Sequence, residues 1–356
     1  MRLLSVVDGI GWGGTKEQVF LLARELSNHV DFHLALSFEY TQMVQKLSPY
    51  KISFHFFEHH NKYNRLNPMN YYRLWKIIKD GSFNIVIANS PHALDFVSLV
   101  YPFLTKRPKL VAVKRSARLP NPLSLRFKYG RVDRLVAVSE KVAEVMLNAG
   151  FPPEKLRVIP SGIDTDRFRK NRAVRTAKRQ ELGIPLNSKV FINVANWNPP
   201  VKGQDKLIET FLKLDCKDCF LLLVGLDTQD KSIPEKGVLG LGFREDVQDL
   251  LNASDFFVLS SFLEGLPNAL LQAMACGLVV ISTLAGGVGS FLVDGVNGFT
   301  VPVGNFQAML EKMKIALHLS EEDYNNISEK AIQTAQKFSI QSTAKKYLEL
   351  FEELIK

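Results

Sequence analysis

Cysteine is scarce in this sequence, three among 356 residues, and three thiols cannot build the disulfide framework of a small secreted domain. Cys216 and Cys219 form a lone Cys-x-x-Cys. A zinc site needs a second pair or a histidine cluster, so these are expected to be reduced structural thiols. Histidine is sparse as well, and the adjacent His59-His60 has no obvious partner and reads as a solvated loop. No run approaches the ~20 apolar residues of a bilayer-spanning helix. The opening Met1-Arg2-Leu3-Leu4-Ser5-Val6-Val7-Asp8 meets an acid too early for a signal peptide, which leads us to expect a cytoplasmic protein. Low-complexity segments and short-period repeats are absent too.

What is present is the composition of a soluble globular protein, with 46% hydrophobic and 23% charged residues. A chain of this length exceeds one ordinary core and divides naturally into two α/β domains. The net charge of +9 is uneven: residues 1–170 hold 26 Lys and Arg against 14 Asp and Glu. Within 100–134 the bases Lys106, Arg107, Lys109, Lys114, Arg115, Arg118, Arg126, Lys128, Arg131 and Arg134 face a single acid, Asp133. Such a cluster on an isolated surface is often only solvated. Here Tyr101, Phe103, Leu104, Leu119, Leu123, Leu125, Phe127 and Tyr129 are interleaved with it, as in segments that lie on an anionic membrane surface. No groove-reading motif accompanies the charge, so nucleic acid is not an expected partner.

Short runs rich in Val, Ile and Phe alternate with stretches of helical period, the pattern of parallel strands covered by helices. Strands are expected near Leu3–Val7, Phe32–Ser37, Ile52–Phe57, Asn84–Ala88, Lys109–Val113, Arg134–Val138 and Leu156–Ile159. Helices fit at Glu17–Ser27 and Glu140–Asn148. From Asp164 to Pro185 the apolar period fades into Asp-Arg-Phe-Arg-Lys-Asn-Arg and a charged helix, read as the connection between domains. The alternation then restarts with strands at Val190–Val194, Phe220–Val224, Val238–Leu241, Phe256–Leu259 and Leu278–Ser282.

Open α/β sheets bind ligands beyond the carboxyl ends of their strands, where helix N-termini offer free N–H groups to phosphate. Three segments have that placement. Gly9-Ile10-Gly11-Trp12-Gly13-Gly14 follows the first strand, though it lacks the dinucleotide fingerprint and a tight turn without ligand is the alternative. Pro199-Pro200-Val201-Lys202-Gly203 puts an ammonium where a diphosphate would develop charge; a lone lysine there is otherwise a surface charge. In Ser260–Gly277, Glu264 and Gly265 form the turn, Pro267 suits a first helical position, and Gln272 lies one turn beyond Asn268. A carboxylate and an amide held so suit sugar and ribose hydroxyls. The plain alternative makes Glu264 a cap and Gln272 a surface residue.

Taken in order, Gly13-Gly14, Val138-Ser139-Glu140, Val158-Ile159-Pro160-Ser161-Gly162-Ile163-Asp164, Lys202-Gly203, Glu264-Gly265-Leu266-Pro267, Ala273-Met274-Ala275-Cys276-Gly277, Gly286-Gly287 and Val293-Asp294-Gly295-Val296-Asn297-Gly298-Phe299 resemble the GT-B retaining glycosyltransferases of family 4. The resemblance spans nearly the whole chain. It implies an α/β GT-B fold, two Rossmann-like parallel-sheet domains facing a cleft: residues 1–165 for the acceptor, 166–332 for the nucleotide-sugar donor, and 333–356 as a helix returning to the first domain. It further implies a nucleotide-sugar donor, UDP-sugar favoured, a glycan or glycolipid acceptor, retention of configuration, and no metal or cofactor. Lys202 and Glu264 become the catalytic candidates. Gly13, Gly14, Gly242, Phe243, Arg244, Gly265, Leu266, Pro267, Asn268 and Gln272 become donor-binding candidates, with Gly14 giving its N–H to phosphate, the turn at Gly242–Arg244 bordering the base, Glu264 touching the sugar and Gln272 the ribose. Arg107, Lys109, Lys114, Arg115, Arg118, Arg126 and Lys128 are assigned to the acceptor and membrane side, peripheral on the inner face of the cell membrane.

The chain departs from the family pattern at several points. Gln272 stands where a second acid is usual, Asn196-Trp197-Asn198 where an arginine precedes the phosphate lysine, and Ser290 where an acid follows the Gly-Gly turn. Lys114-Arg115-Ser116 occupies the strand end that usually carries a histidine. These substitutions keep a second reading open, a catalytically degenerate nucleotide-sugar-binding or scaffold subunit. An epimerase on the same fold would want several acids and a histidine that the sequence does not clearly supply.

Overall fold

A computed structural model describes all residues from 1 to 356. The chain forms two compact units, one of Met1–Gly162 with Ile340–Lys356 and one of Ile163–Ser339. In the first, strands β1 (Arg2–Val6), β2 (Asp31–Ser37), β3 (Ile52–Glu58), β4 (Ile85–Ala88), β5 (Lys109–Lys114), β6 (Arg134–Ala137) and β7 (Leu156–Val158) order themselves β3-β2-β1-β4-β5-β6-β7. In the second, β8 (Lys189–Val194), β9 (Cys219–Val224), β10 (Val238–Gly242), β11 (Phe256–Leu259), β12 (Val279–Thr283) and β13 (Phe299–Val301) run β10-β9-β8-β11-β12-β13. All pairings are parallel.

The residues dictate this. Every side chain of β4 and of β11 is buried, so each strand packs helices on both faces, the condition under which a parallel sheet is stable. Burying each large apolar side chain of Phe256-Phe257-Val258-Leu259 contributes about 1.5–3 kcal/mol. Helices begin where a short polar side chain can take the orphan N–H groups: Ser90 accepts from Ala93, Asn121 from Ser124 and Ser139 from Val142.

Both sheets reverse strand order once, between β1 and β4 and between β8 and β11. A crevice opens beyond the strand ends at such a reversal, and ligands of doubly wound sheets bind there.

Three points refine or correct the expectations. The charged helix expected within 164–185 forms at Ala173–Glu181 and buries Arg179 completely. The Arg179 guanidinium donates to the carbonyls of Ala253, Leu186 and Ser188 and pairs with Asp255 at 2.9 Å. A buried arginine is tolerable only with such saturation, and it anchors the helix to the second unit. Secondly, Cys216 and Cys219 are joined by a disulfide, not reduced, with Cα atoms 5.4 Å apart. The turn at Lys217-Asp218 brings them together, a geometry residue spacing alone does not reveal. Finally, His59 and His60 have partners. His59 stacks on Phe38 with ring centroids 4.4 Å apart and bonds Glu39 at 2.9 Å, while His60 lies 3.6 Å from Glu58.

Candidate active site

The second unit's reversal point is built by two loops. After β8 the chain makes a helical turn, Pro199–Lys202, closed by Gly203 at φ +64°. A Cβ on Gly203 would stand 2.5 Å from the carbonyl oxygen of Ser260, so glycine is required on both conformational and steric grounds. After β11 the chain is strapped onto that turn. Phe262 donates its N–H to the Val201 carbonyl at 2.8 Å, and the Ser260 hydroxyl donates to the Lys202 carbonyl at 2.7 Å. The strap carries Glu264 to Lys202: Nζ and Oε1 are 2.8 Å apart, and the Ser261 hydroxyl donates to the same oxygen at 2.7 Å. Two candidates 62 residues apart in sequence therefore meet. Glu264 is nearly buried and Lys202 partly open, with side-chain exposures of 10% and 27%.

Behind Glu264 the Gly286-Gly287 turn fits closely. A Cβ on Gly286, at φ +62°, would lie 2.4 Å from the Glu264 carbonyl oxygen, and Gly287 donates its N–H to the Gly265 carbonyl at 2.8 Å. Gly265, Leu266 and Pro267 are buried and lead into the helix Asn268–Ala275. That helix has no side-chain cap at its N-terminus, and Oδ1 of Asn268, its first residue, is buried without a partner. Gln272 is half-buried one turn on. Free N–H groups, an orphaned amide oxygen, a lysine and a carboxylate together can serve phosphate, hydroxyl and developing negative charge.

The turn after β10 divides its candidates. Gly242, at φ +65°, donates to the Thr228 hydroxyl at 3.0 Å, and Phe243 stays 45% exposed. The Arg244 guanidinium, by contrast, is engaged by Asp246 at 2.6 Å and Glu181 at 2.8 Å, with Lys178 on the same Asp246 carboxylate at 2.7 Å. The hydrogen bond from Arg244 holds the Asp246 carboxyl well below the usual carboxylate range. Phe243 is thus the free surface of this turn.

In the first unit, Gly13 caps the helix Gly14–Leu26 in an extended conformation with no side-chain bond. A Cβ at Gly11, Gly13 or Gly14 would meet nothing within 4 Å. Open space lies over this helix N-terminus, and at Gly13 and Gly14 neither packing nor a positive φ calls for glycine.

The basic candidates separate into exposed and committed groups. Arg107, Arg118 and Arg126 are exposed, and Lys109, exposed as well, lies 3.8 Å from Asp133. Lys114, assigned to the membrane side, is buried instead: its ammonium donates to the carbonyls of Ser116 and Arg118 and to the Ser116 hydroxyl, and burial lowers its pKa to about 8. Arg115 bonds Ser161 at 3.4 Å, and its Nε and Nη2 are buried. Lys128 pairs with Asp95 at 2.6 Å. The sequence reading missed Lys62, Arg65 and Leu66, which line a groove with Lys128; basic and aromatic residues beside His59-His60 were the available signal. No helix is long and apolar enough to cross a membrane.

Two parallel sheets of matching order define the class of protein. The fold is that of GT-B glycosyltransferases: Anabaena HepE, solved in complex with UDP-glucose, matches with a TM-score of 0.83 at 22% identity, over 99% of this chain and 100% of that one. The chain belongs to glycosyltransferase family 4, with residues 12–167 matching the model described as Glycosyltransferase Family 4 and residues 174–334 the model described as Glycosyl transferases group 1. It is similar to the Campylobacter jejuni N,N'-diacetylbacillosaminyl-diphospho-undecaprenol α-1,3-N-acetylgalactosaminyltransferase, 29% identical over 243 residues, 65% of this chain and 63% of that protein. Bacillus anthracis N-acetyl-α-D-glucosaminyl L-malate synthase is 29% identical over 216 residues, 58% of this chain and 56% of its own length. The match spans less than two thirds of either relative.

Proposed function

We propose that this chain transfers a sugar from a nucleoside diphosphate, UDP favoured, to a glycan or glycolipid acceptor in the assembly of cell-surface polysaccharide or lipopolysaccharide core, with retention of configuration and without a metal. The observation that carries this reading is the Lys202–Glu264 pair at the second unit's reversal point, 2.8 Å apart, beside an uncapped helix N-terminus. In the transfer, the bond from the anomeric carbon to the diphosphate oxygen breaks and one from that carbon to the acceptor oxygen forms. The acceptor's proton leaves with the diphosphate. Negative charge grows on the departing oxygen, and Lys202 with helix N–H groups offsets it. Glu264 holds hydroxyls of the transferred sugar, and Gln272 accepts from the ribose. Phe243 offers a face to the base, and the Gly13-Gly14 N–H groups offer donors to phosphate.

The degenerate-subunit reading rests on the departures at Gln272, Asn198 and Ser290 and is not favoured, since Lys202 and Glu264 are both present and stand in bonding contact. The test is a melting-temperature screen against UDP, GDP, ADP and their sugars. It is followed by transfer from the stabilising donor in excess EDTA, with product configuration read by NMR. Stabilisation by a uridine conjugate and an axial product are expected. Activity that vanishes with EDTA and returns with manganese would remove the metal-free mechanism, and no stabilisation by any nucleotide would remove the donor site.

A further inference from the structure

The first unit carries a groove of 790 Å³ walled by the loop after β3, Tyr71 of the helix Pro68–Gly81, the helix Pro91–Val100 and the segment Pro122–Arg131. Its walls are unusual for a water-facing surface: Leu66, Leu99, Leu123 and Phe127 are 79%, 54%, 70% and 54% exposed. Four cations, Lys62, Arg65, Lys128 and Arg131, stand among them against one acid, Asp95. Lys128 neutralises that acid at 2.6 Å, and Arg131 is held by the Ser98 carbonyl at 2.9 Å. The Arg65 guanidinium bonds the His92 ring, at 3.0 Å, and the Lys62 ammonium lies over the Tyr63 ring. Neither meets a carboxylate.

A free nucleotide would satisfy the two unneutralised cations and leave the four apolar side chains wet. A neutral hydrocarbon would cover the apolar walls and leave the cations without an anion. Only an amphiphile with an anionic head answers both, and the pairing of cationic and apolar surface is the one that holds lipid at an interface. We propose that this groove seats the phosphate head and first tail carbons of the lipid that carries the acceptor, with Lys62 and Arg65 on the phosphate and Leu66, Leu99, Leu123 and Phe127 along the chain. The assignment rests on the glycosyltransferase reading only for what the lipid carries.

The full-length protein would be floated with phosphatidylcholine vesicles, with the same vesicles containing phosphatidylglycerol, and with vesicles matched in charge by undecaprenyl monophosphate. Retention should be strongest on the last, and Lys62→Ala with Arg65→Ala should cut it on the order of tenfold, since each near-surface cation contributes a few-fold. The pair Leu123→Ser and Phe127→Ser should cut it comparably; both side chains are exposed, and Leu66→Ser provides a third change at an exposed position. Equal retention on phosphatidylglycerol and undecaprenyl phosphate at matched charge would overturn the groove in favour of general surface attraction, as would unaltered retention of both variants. UDP-induced stabilisation, measured on the same samples, separates the two proposals. Lipid-selective retention without any nucleotide effect leaves the groove and removes the donor reading. Transfer to a soluble acceptor by a chain that no vesicle holds does the reverse.

Discussion

The two units solve one topological problem in opposite ways. Each reverses strand order once, but the second stitches its reversal point shut with side chains and obligatory glycines. In the first unit the corresponding glycines face empty space. Gly203 and Gly286 are glycine because a Cβ would strike backbone; Gly13 and Gly14 are glycine although nothing in the chain crowds them. The contrast teaches that a glycine's neighbours reveal its purpose. Where protein atoms fill the space, glycine serves packing, and where the space is open it is available to a ligand.

The largest effect that would break this comparison is chemical. Lys202→Ala or Glu264→Ala should lower transfer on the order of 10²–10³-fold, because a preorganised charge at the reacting centre is lost, with little change in melting. Near-normal turnover by either variant would move the chemistry out of the second unit.

Next comes stability. Gly286→Ala forces a methyl against the Glu264 carbonyl at a positive φ and should cost about 2 kcal/mol, read by urea unfolding. Gly13→Ala, extended and uncrowded, should cost about 0.5 kcal/mol or less while lowering transfer several-fold. If Gly13→Ala destabilises as much as Gly286→Ala, the distinction between packing glycines and ligand glycines fails.

Smaller still is Gln272→Glu, which should be tolerated and tighten donor binding a few-fold, since a carboxylate accepts hydroxyl bonds more strongly than an amide; calorimetric titration with the donor checks it. The mildest contrast concerns two lysines. The pKa of Lys178, in the second unit, is raised by the hydrogen bond it donates to Asp246 and then by the one to Glu181. Lys114, in the first, is lowered to about 8 by burial. Between about 8 and the ordinary 10.5, folded Lys114 is neutral while the unfolded chain still holds the proton. The unfolded state therefore binds more protons there, and this group's contribution to stability rises with pH across that window. Below about 8 its burial penalty is felt in full. Lys114→Met should flatten that part of the melting-temperature profile relative to the parent.

Local pattern made the strands legible. Phe256–Leu259 is expected and observed with the same ends, because four apolar residues between polar turns admit little else. Phe299–Val301 was missed as a strand: three residues at a sheet edge show no periodicity. The first helix starts at Gly14, ahead of the expected Glu17, since glycine's low helix propensity hid its role as a terminus. Site residues were legible as candidates but not as contacts. Nothing local says that Lys202 meets Glu264, because sheet order brings them together. Arg115 and Lys114 looked like neighbours of Arg107 and Arg118 on one charged surface, yet β5 ends by turning Lys114 inward. The groove was illegible for the same reason, its walls coming from separated segments of the chain.

The first unit is not continuous in sequence: it is completed by Ile340–Lys356, whose Tyr347 and Phe351 are buried and whose Thr343 hydroxyl donates to the Pro160 carbonyl at 3.1 Å. On the ribosome, residues 163–339 therefore emerge with all their own core before the first unit has received its closing helix. The half that is made first must finish folding second. Until then the surface that the helix Ile340–Ile355 covers, and against which Tyr347 and Phe351 are buried, is open to solvent.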